Sequence, residues 1–364
     1  MQLDYSKMFD VARNLYALPS YNSKTGKALM PLRYFFELTY LCNLQCPYCY
    51  LGQDRVMQEL TTQQWFDLID QIPFYSFVTL VGGEPLIRKD FIPILERTAK
   101  KTFGKLNVVT NGILINDEII DAFIRTKMML LSVSLDGYGE NHDKNRNKEG
   151  IFDVIISNLE NLNSKKSKVG ATGKPMVDIK TIVLPDNLDD LPKLYKLCDE
   201  MNFDFLSVSF LRNNDLKQHP NLRSSFGEEF YAQKYPIKPY FDMEHFKEVY
   251  KEIEEMGKKS KVSVRYSPKF ESAKNPLAKI EEFFSYGENM PIKEIYEPCL
   301  YPYSNMMINP QGDVYPCLSQ KMGNVVDKKL KDVFNVPHFC CFRKNLKASE
   351  VFEACQMCCE LSVK

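Results

Sequence analysis

Cys42, Cys46 and Cys49 stand in one short run, CNLQCPYC, and three thiolates at this spacing can do specific chemistry. On a single loop they reach three corners of an iron–sulfur cubane and leave the fourth iron without a protein ligand. A structural zinc site is the competing reading, but closed zinc sites want four ligands and no nearby His or Cys completes this one. A second set lies near the end of the chain. Cys299, Gly312 and Cys317 are followed by Cys355-Gln356-Met357-Cys358, which makes four thiolates, enough to close one cluster. A zinc ribbon on the same four residues stays open, since a four-cysteine set suits both metals. Cys359 can replace Cys358 as a ligand, and Cys340 and Cys341 have no assigned role. Cys198 falls in a segment of apolar helical period and reads as a buried small residue.

Other polar groups recur where strands are predicted to end. Gly82-Gly83-Glu84-Pro85 follows the second; two glycines let backbone approach a ligand closely, and a carboxylate can accept hydrogen bonds from an ammonium group. Thr110-Asn111-Gly112 ends the third. Ser134-Leu135-Asp136-Gly137 ends the fourth and is followed by His142, Asp143 and Arg146. For Asn111 and Asp136 a strand-end turn is an equal reading, and His142 reads as a surface-loop histidine or helix cap. Arg146 offers a planar, bidentate donor suited to clamping a carboxylate.

The elements that must hold these groups alternate. Apolar runs at 33–39, 77–81, 106–110, 130–135, 176–184 and 205–211 predict six strands, and the segments between them place apolar residues at i, i+3, i+4 and i+7. Strand–helix alternation implies right-handed crossovers and a parallel sheet. Six units are fewer than the eight of a closed barrel, so the expected fold class is α/β, a partial (β/α)6 TIM-like barrel with a small cysteine-rich C-terminal auxiliary domain. Ligands then belong at the carboxyl ends of the strands.

The expected organisation is an N-terminal extension at 1–32, a core at 33–265, a connecting segment at 266–298 and the auxiliary domain at 299–364. Within the core, 212–240 reads as a long loop over the site, with Phe226, Phe230, Tyr231, Tyr235 and Tyr240 as pocket-lining candidates. A charged helix at 242–258 and a short strand, KVSVRY, follow. NPQGDVYPC signals turns and a hairpin in the tail.

Composition sets the outer limits. The 364 residues carry 47 Lys+Arg against 47 Asp+Glu, so no global field attracts nucleic acid. No run approaches the length of a membrane span, and the first residues lack a signal-peptide layout. A cytoplasmic location with no membrane partner is the expectation. Eleven cysteines without a secretory signal then favour metal or redox chemistry over disulfides.

The CxxxCxxC loop after the first strand resembles that of the radical S-adenosylmethionine (SAM) superfamily, and Tyr48 matches the aromatic residue usual before its third cysteine. The resemblance implies a [4Fe–4S] cluster on Cys42, Cys46 and Cys49, whose open iron chelates SAM. Reductive cleavage then gives a 5′-deoxyadenosyl radical that abstracts hydrogen from an unactivated carbon. It further implies that Gly82, Gly83, Glu84 and Pro85 bind the methionyl amino group. Asn111, Ser134, Asp136 and Arg146 would complete the cofactor site, and a reductant such as flavodoxin or ferredoxin would supply the electron. The tail resembles SPASM or twitch domains, which implies one auxiliary [4Fe–4S] cluster on Cys299, Cys317, Cys355 and Cys358; it departs from the seven-cysteine SPASM pattern.

The resemblance implies a radical enzyme that oxidises, cross-links or epimerises a peptide or protein side chain. A dehydrogenase or carbon-skeleton enzyme acting on a small sugar, lipid or antibiotic precursor is the alternative, favoured slightly by a segment before the first strand that is shorter than a leader-binding domain. A non-catalytic iron–sulfur or zinc protein comes last, because it leaves the motifs at successive strand ends unexplained.

Overall fold

The computed structural model describes residues 5–49, 51, 58–170, 174–211, 240–287, 290–317, 320–356 and 358–364. The chain opens with α1 (Tyr5–Asn22) and β1 (Arg33–Glu37), then alternates α2 (Thr62–Gln71), β2 (Phe77–Val81), α3 (Phe91–Thr102), β3 (Leu106–Thr110), α4 (Asp117–Arg125) and β4 (Leu130–Ser134). Two helices follow, α5 (Glu140–Arg146) and α6 (Ile151–Lys168), before β5 (Met176–Val183), α7 (Asp190–Glu200), β6 (Phe205–Phe210), α8 (Met243–Gly257) and β7 (Ser263–Ser267). The remainder holds α9 (Pro276–Ser285), α10 (Ile292–Ile295), α11 (Tyr301–Ser304), β8 (Asn305–Ile308), β9 (Asp313–Tyr315), β10 (Gly323–Asn324), α12 (Leu330–Phe334) and α13 (Pro337–Ser349).

All ten strands share one sheet, ordered β10-β9-β8-β1-β2-β3-β4-β5-β6-β7. β1 to β7 are parallel neighbours, and KVSVRY supplies the seventh of them. The tail is continuous with this sheet. β8 pairs in parallel with β1, Arg33 opposite Asn305, and then turns back through β9 as a hairpin. The sheet curves into a partial barrel. Residues near the C-terminus cross from its last parallel strand to its first: Lys269, just after β7, donates its backbone N–H to Leu361, while Glu360 pairs with Arg33 at the start of β1.

Strand alternation divides the barrel wall chemically. Tyr34, Phe36, Val78, Leu80, Leu131, Val133, Val177 and Ile179 are all buried facing the helices, where Phe36 meets Trp65 of α2 with ring centroids 5.4 Å apart. The opposite positions face the lumen and are largely polar: Arg33, Asn107, Ser132, Asp178, Lys180 and Ser207. Local signals place the helix starts. Thr61 and Gln64 form a reciprocal capping box before α2, and Asn116 caps α4.

The segment before β1 is fastened to the tail. Arg343 of α13 is fully buried and donates to the carbonyls of Gly26 and Pro302, stacked on Phe334 and Phe339. Burial lowers its pKa to about 9, which leaves it cationic at neutral pH. Among the described residues, no helix is long and apolar enough to cross a membrane. Of the aromatic residues expected over the site, only Tyr240 lies within the described residues; its hydroxyl donates to the Val183 carbonyl and accepts from Leu211 N–H.

Candidate active site

A cavity of about 220 Å³ opens at the C-terminal ends of the parallel strands. Cys42, Cys46, Tyr48 and Cys49 line it from the loop after β1, Gly82 and Gly83 from the loop after β2, Asn111 from just past β3, Ser134 from the last position of β4 and Arg146 from the end of α5. The fold thus gathers at one barrel mouth groups that the sequence spreads over a hundred residues. Leu44 and Leu51 from the loop after β1, and Val81, Val109, Thr110 and Ile182 at strand ends, supply the rest of the wall, which is largely apolar.

The glycines are there because of packing. Gly82 has a φ of 149°, and a Cβ on it would fall on the Thr39 carbonyl oxygen; a Cβ on Gly83 would meet the carbonyls of Tyr40 and Leu41. The Gly83 and Glu84 amides also donate to the Thr39 and Leu41 carbonyls at 2.7 and 2.8 Å. The glycine loop therefore lies flush against the root of the cysteine loop and fixes its direction. Arg88 completes the brace, donating to the carbonyls of Leu38 and Leu60 and pairing with Glu59 and Asp90. Neither Arg88 nor Glu59 stood out in the sequence; an arginine shortly after the Gly-Gly-Glu-Pro turn was the available signal.

Glu84, Pro85 and Asp136 sit behind the cavity wall. Glu84 is fully buried and accepts from Thr110 Oγ1 at 2.8 Å, Asn111 N–H at 2.7 Å and Leu86 N–H at 3.1 Å. Burial outweighs these donors and raises its pKa to about 7. Pro85, also buried, opens the short helical turn that Glu84 caps. Asp136 ties three elements together: it accepts from the Tyr48 hydroxyl and Ile182 N–H and is ion-paired with Arg146.

Arg146 is the hinge between this buried network and the cysteines. One guanidinium nitrogen meets Asp136, and another donates to Cys46 Sγ at 3.8 Å. Burial opposes its charge, but Asp136, Tyr48 and Cys46 outweigh that and raise its pKa, so it stays cationic. At Cys46 burial raises the thiol pKa, and Arg146 is the chief opposing influence. Asn111 Nδ2 donates to Asn43 Oδ1 at 2.7 Å and lies 4.0 Å from Cys42 Sγ. His142, expected at the surface, is instead only 1% exposed inside α5. Its Nδ1 accepts the Asp136 N–H at 3.0 Å, which puts the ring proton on Nε2, and burial with nearby Arg146 lowers its pKa to about 4.

The tail cysteines form a different environment. Cys299, Cys317, Cys355 and Cys358 are partly buried and pack against the hydrophobic core. Burial first, then neighbouring Cys355, Cys358 and Cys317, raise the Cys299 pKa well above its ordinary value, so the four sulfurs share one locality. Cys340 is buried on α13, Cys341 and Cys359 are exposed, and Cys198 is buried in the core with its thiol pushed up by desolvation.

A radical SAM superfamily model matches residues 36–198, and a SPASM iron–sulfur cluster-binding domain model matches residues 299–359. The chain carries a radical SAM domain followed by a SPASM domain. Fe-coproporphyrin III synthase of Methanosarcina barkeri is 30% identical over 187 residues, 50% of this chain and 44% of that protein. Mycofactocin maturase MftC of Mycolicibacterium smegmatis is 33% identical over 171 residues, 46% of this chain and 41% of that one. The chain thus spans less than half the length of these curated relatives. The crystal structure of Streptococcus suis SuiB bound to S-adenosylmethionine superposes with a TM-score of 0.64 at 17% identity, over 99% of this chain and 78% of that one, which is a likeness of fold.

A [4Fe–4S] cluster, S-adenosylmethionine and auxiliary iron–sulfur chemistry are the cofactors of this radical SAM–SPASM pair of domains. The donor set fits them. Three cysteines line an open cavity whose wall offers close backbone at Gly82 and Gly83 and a charged donor at Arg146, and the four tail cysteines are partly buried together against the core.

Proposed function

We propose that the protein modifies a peptide side chain by radical chemistry. In this reading Cys42, Cys46 and Cys49 hold the cluster that engages S-adenosylmethionine, and Cys299, Cys317, Cys355 and Cys358 hold one auxiliary cluster. The bound cofactors supply a one-electron cleavage that yields an oxidant able to take a hydrogen atom from carbon. The chain's own residues do the rest. Gly82 and Gly83 bring backbone to the ligand, Tyr48 and Asp136 hold Arg146 against Cys46, and the apolar wall of Leu44, Val109 and Ile182 keeps water from the reacting carbon.

The observation that carries the reading is the pairing, in one chain, of three cysteines that line a cavity at the barrel mouth with four partly buried cysteines in the tail. The relatives add support for a peptide: one is named a maturase, and SuiB has been solved bound to its precursor peptide SuiA. The test uses anaerobically reconstituted protein, dithionite and S-adenosylmethionine, offered either short peptides encoded beside its gene or a small-metabolite extract. Peptide-stimulated formation of 5′-deoxyadenosine, with a matching mass change on the peptide, is expected. Stimulation by the metabolite extract alone would overturn the peptide assignment and favour the small-molecule enzyme.

A further inference from the structure

The barrel has a second cavity, apart from the one that Cys42, Cys46 and Cys49 line. It measures about 370 Å³ and lies at the N-terminal ends of the strands, among Arg33, Leu130, Met176 and Phe205, with Cys359 and Glu360 of the tail as its outer wall. Lys180 stands where the two cavities approach each other. It lines the lower one, while Ile182, two residues on along β5 and on the same lumen face, lines the upper one. Register places Lys180 level with Ser134 of β4, which lines the upper cavity, and with Ser207 of β6, which lines the lower.

The polar groups around Lys180 are built rather than scattered. Asp178, nearly inaccessible, accepts from Ser132 Oγ at 3.1 Å and Ser207 Oγ at 2.7 Å, and lies 3.3 Å from Lys180 Nζ. The Lys180 side chain is still 40% exposed, so its ammonium also faces the open lumen. Charge in the lower cavity favours an anion. Arg33, Lys180, Arg265 and Lys269 line it, and Glu360 on its wall is paired with Arg13 at 3.3 Å and Arg33 at 3.4 Å. That carboxylate, held between two arginines, is an internal precedent for what the cavity binds. Asp10 is taken by Lys269 at 2.6 Å, and burial pushes Glu271 toward its neutral form.

We propose that the lower cavity binds a carboxylate of the substrate, with Lys180 as its anchor, so that the rest of the substrate extends up the lumen toward Cys42, Cys46 and Cys49. This rests on the radical SAM reading of the upper site. The carboxylate belongs to a peptide, as an acidic side chain or chain end, or to a small organic acid; both present the same group to an ammonium.

Affinity-selection mass spectrometry on the anaerobic holoprotein with S-adenosylmethionine tests it. One pool holds short peptides paired with versions in which every carboxylate is amidated; the other holds small carboxylic acids paired with their amides. Wild type should retain acids over amides by about tenfold, as charge-assisted bonds exceed neutral ones. Lys180→Met should remove that preference, and Lys180→Arg should restore it. Equal retention of acids and amides by wild type, retention of neither, or an undiminished preference in Lys180→Met would each overturn the anchor. So would loss in both variants, because charge would then not be the cause. If only organic acids are retained, the carboxylate anchor stands and the peptide substrate falls.

Discussion

The two cysteine regions are built on opposite principles. Cys42, Cys46 and Cys49 line a cavity and are surrounded by polar groups held in place from behind, with Arg146 on Cys46 and Asn111 close to Cys42. Cys299, Cys317, Cys355 and Cys358 lie together in the tail, where the other three act on the Cys299 thiol. Burial raises the Cys299 thiol with no cation to oppose it among its main influences, whereas at Cys46 burial meets Arg146. An open site with a positioned cation suits a cluster that must accept a ligand and an electron. A site of mutually repelling thiolates, where no cation is among the main influences on Cys299, suits a cluster that only metal can hold together.

Removing one ligand from each region should give the largest effects. With two [4Fe–4S] clusters, reconstituted wild type should carry about eight irons per chain. Cys46→Ala and Cys299→Ala should each fall to about four. Cys46→Ala alone should abolish 5′-deoxyadenosine formation from S-adenosylmethionine with dithionite. Iron analysis with EPR separates the cases, and loss of all iron in either variant would show that the regions are not independent.

A glycine in each region gives the next contrast. Gly82→Ala drives a Cβ into the Thr39 backbone at a positive φ, so about 1–3 kcal/mol of strain should be joined by a displaced cysteine loop and weakened S-adenosylmethionine binding. Gly312 also has a positive φ, 82°, but its Cβ would meet ends of the Val325, Asn324 and Leu60 side chains, which can give way. Gly312→Ala should cost about 1–2 kcal/mol in urea unfolding and leave S-adenosylmethionine binding unchanged. Equal losses of binding would mean that the tail hairpin, not only the glycine loop, shapes the upper cavity.

Arg146→Met isolates the cation that distinguishes the open site. Loss of its donor to Cys46 and its pair with Asp136 should lower S-adenosylmethionine cleavage about 10–100-fold. The first cluster should also become harder to reduce, because a hydrogen bond to a ligand sulfur stabilises the reduced state. Redox titration followed by EPR should find the auxiliary signal unmoved; a shift in both would contradict the separation.

How much of this contrast the sequence displayed depends on the range of the interactions involved. The strand runs were legible because their helix-facing positions are uniformly apolar, and the cysteine loop because its ligands are local. Helix α5 was hidden: ENHDKNR has no apolar period, and its limits are set by Gly139 and by Asn147 in a left-handed conformation. With the helix unseen, His142 read as a surface residue, although the Asp136 amide fixes it in the interior. The pairing of β8 with β1 joins residues more than 250 positions apart, and no local pattern encodes it. Lys180 was equally silent, since one lysine in a strand reads as solvent-facing until the lumen is known.

His142 offers a direct probe of the buried network behind the open site. Its pKa is depressed to about 4 in the folded protein against about 6.5 when exposed. Between these values the unfolded chain binds the proton and the folded one does not, so this contribution is complete above about pH 6.5 and is lost as pH falls toward 4, at up to about 1.4 kcal/mol per pH unit. Glu84 acts in the opposite sense: its raised pKa of about 7 makes the folded chain bind the extra proton, so its contribution falls as pH rises from about 4.5 to 7. The two partly cancel in wild type. His142→Asn keeps an acceptor for the Asp136 N–H but cannot titrate, so the difference between its stability curve and that of wild type should isolate the acid limb. A difference curve that is flat from pH 4 to 7 would show that His142 is not held neutral. Its Nδ1 would then no longer anchor the Asp136 loop on which Tyr48 and Arg146 depend.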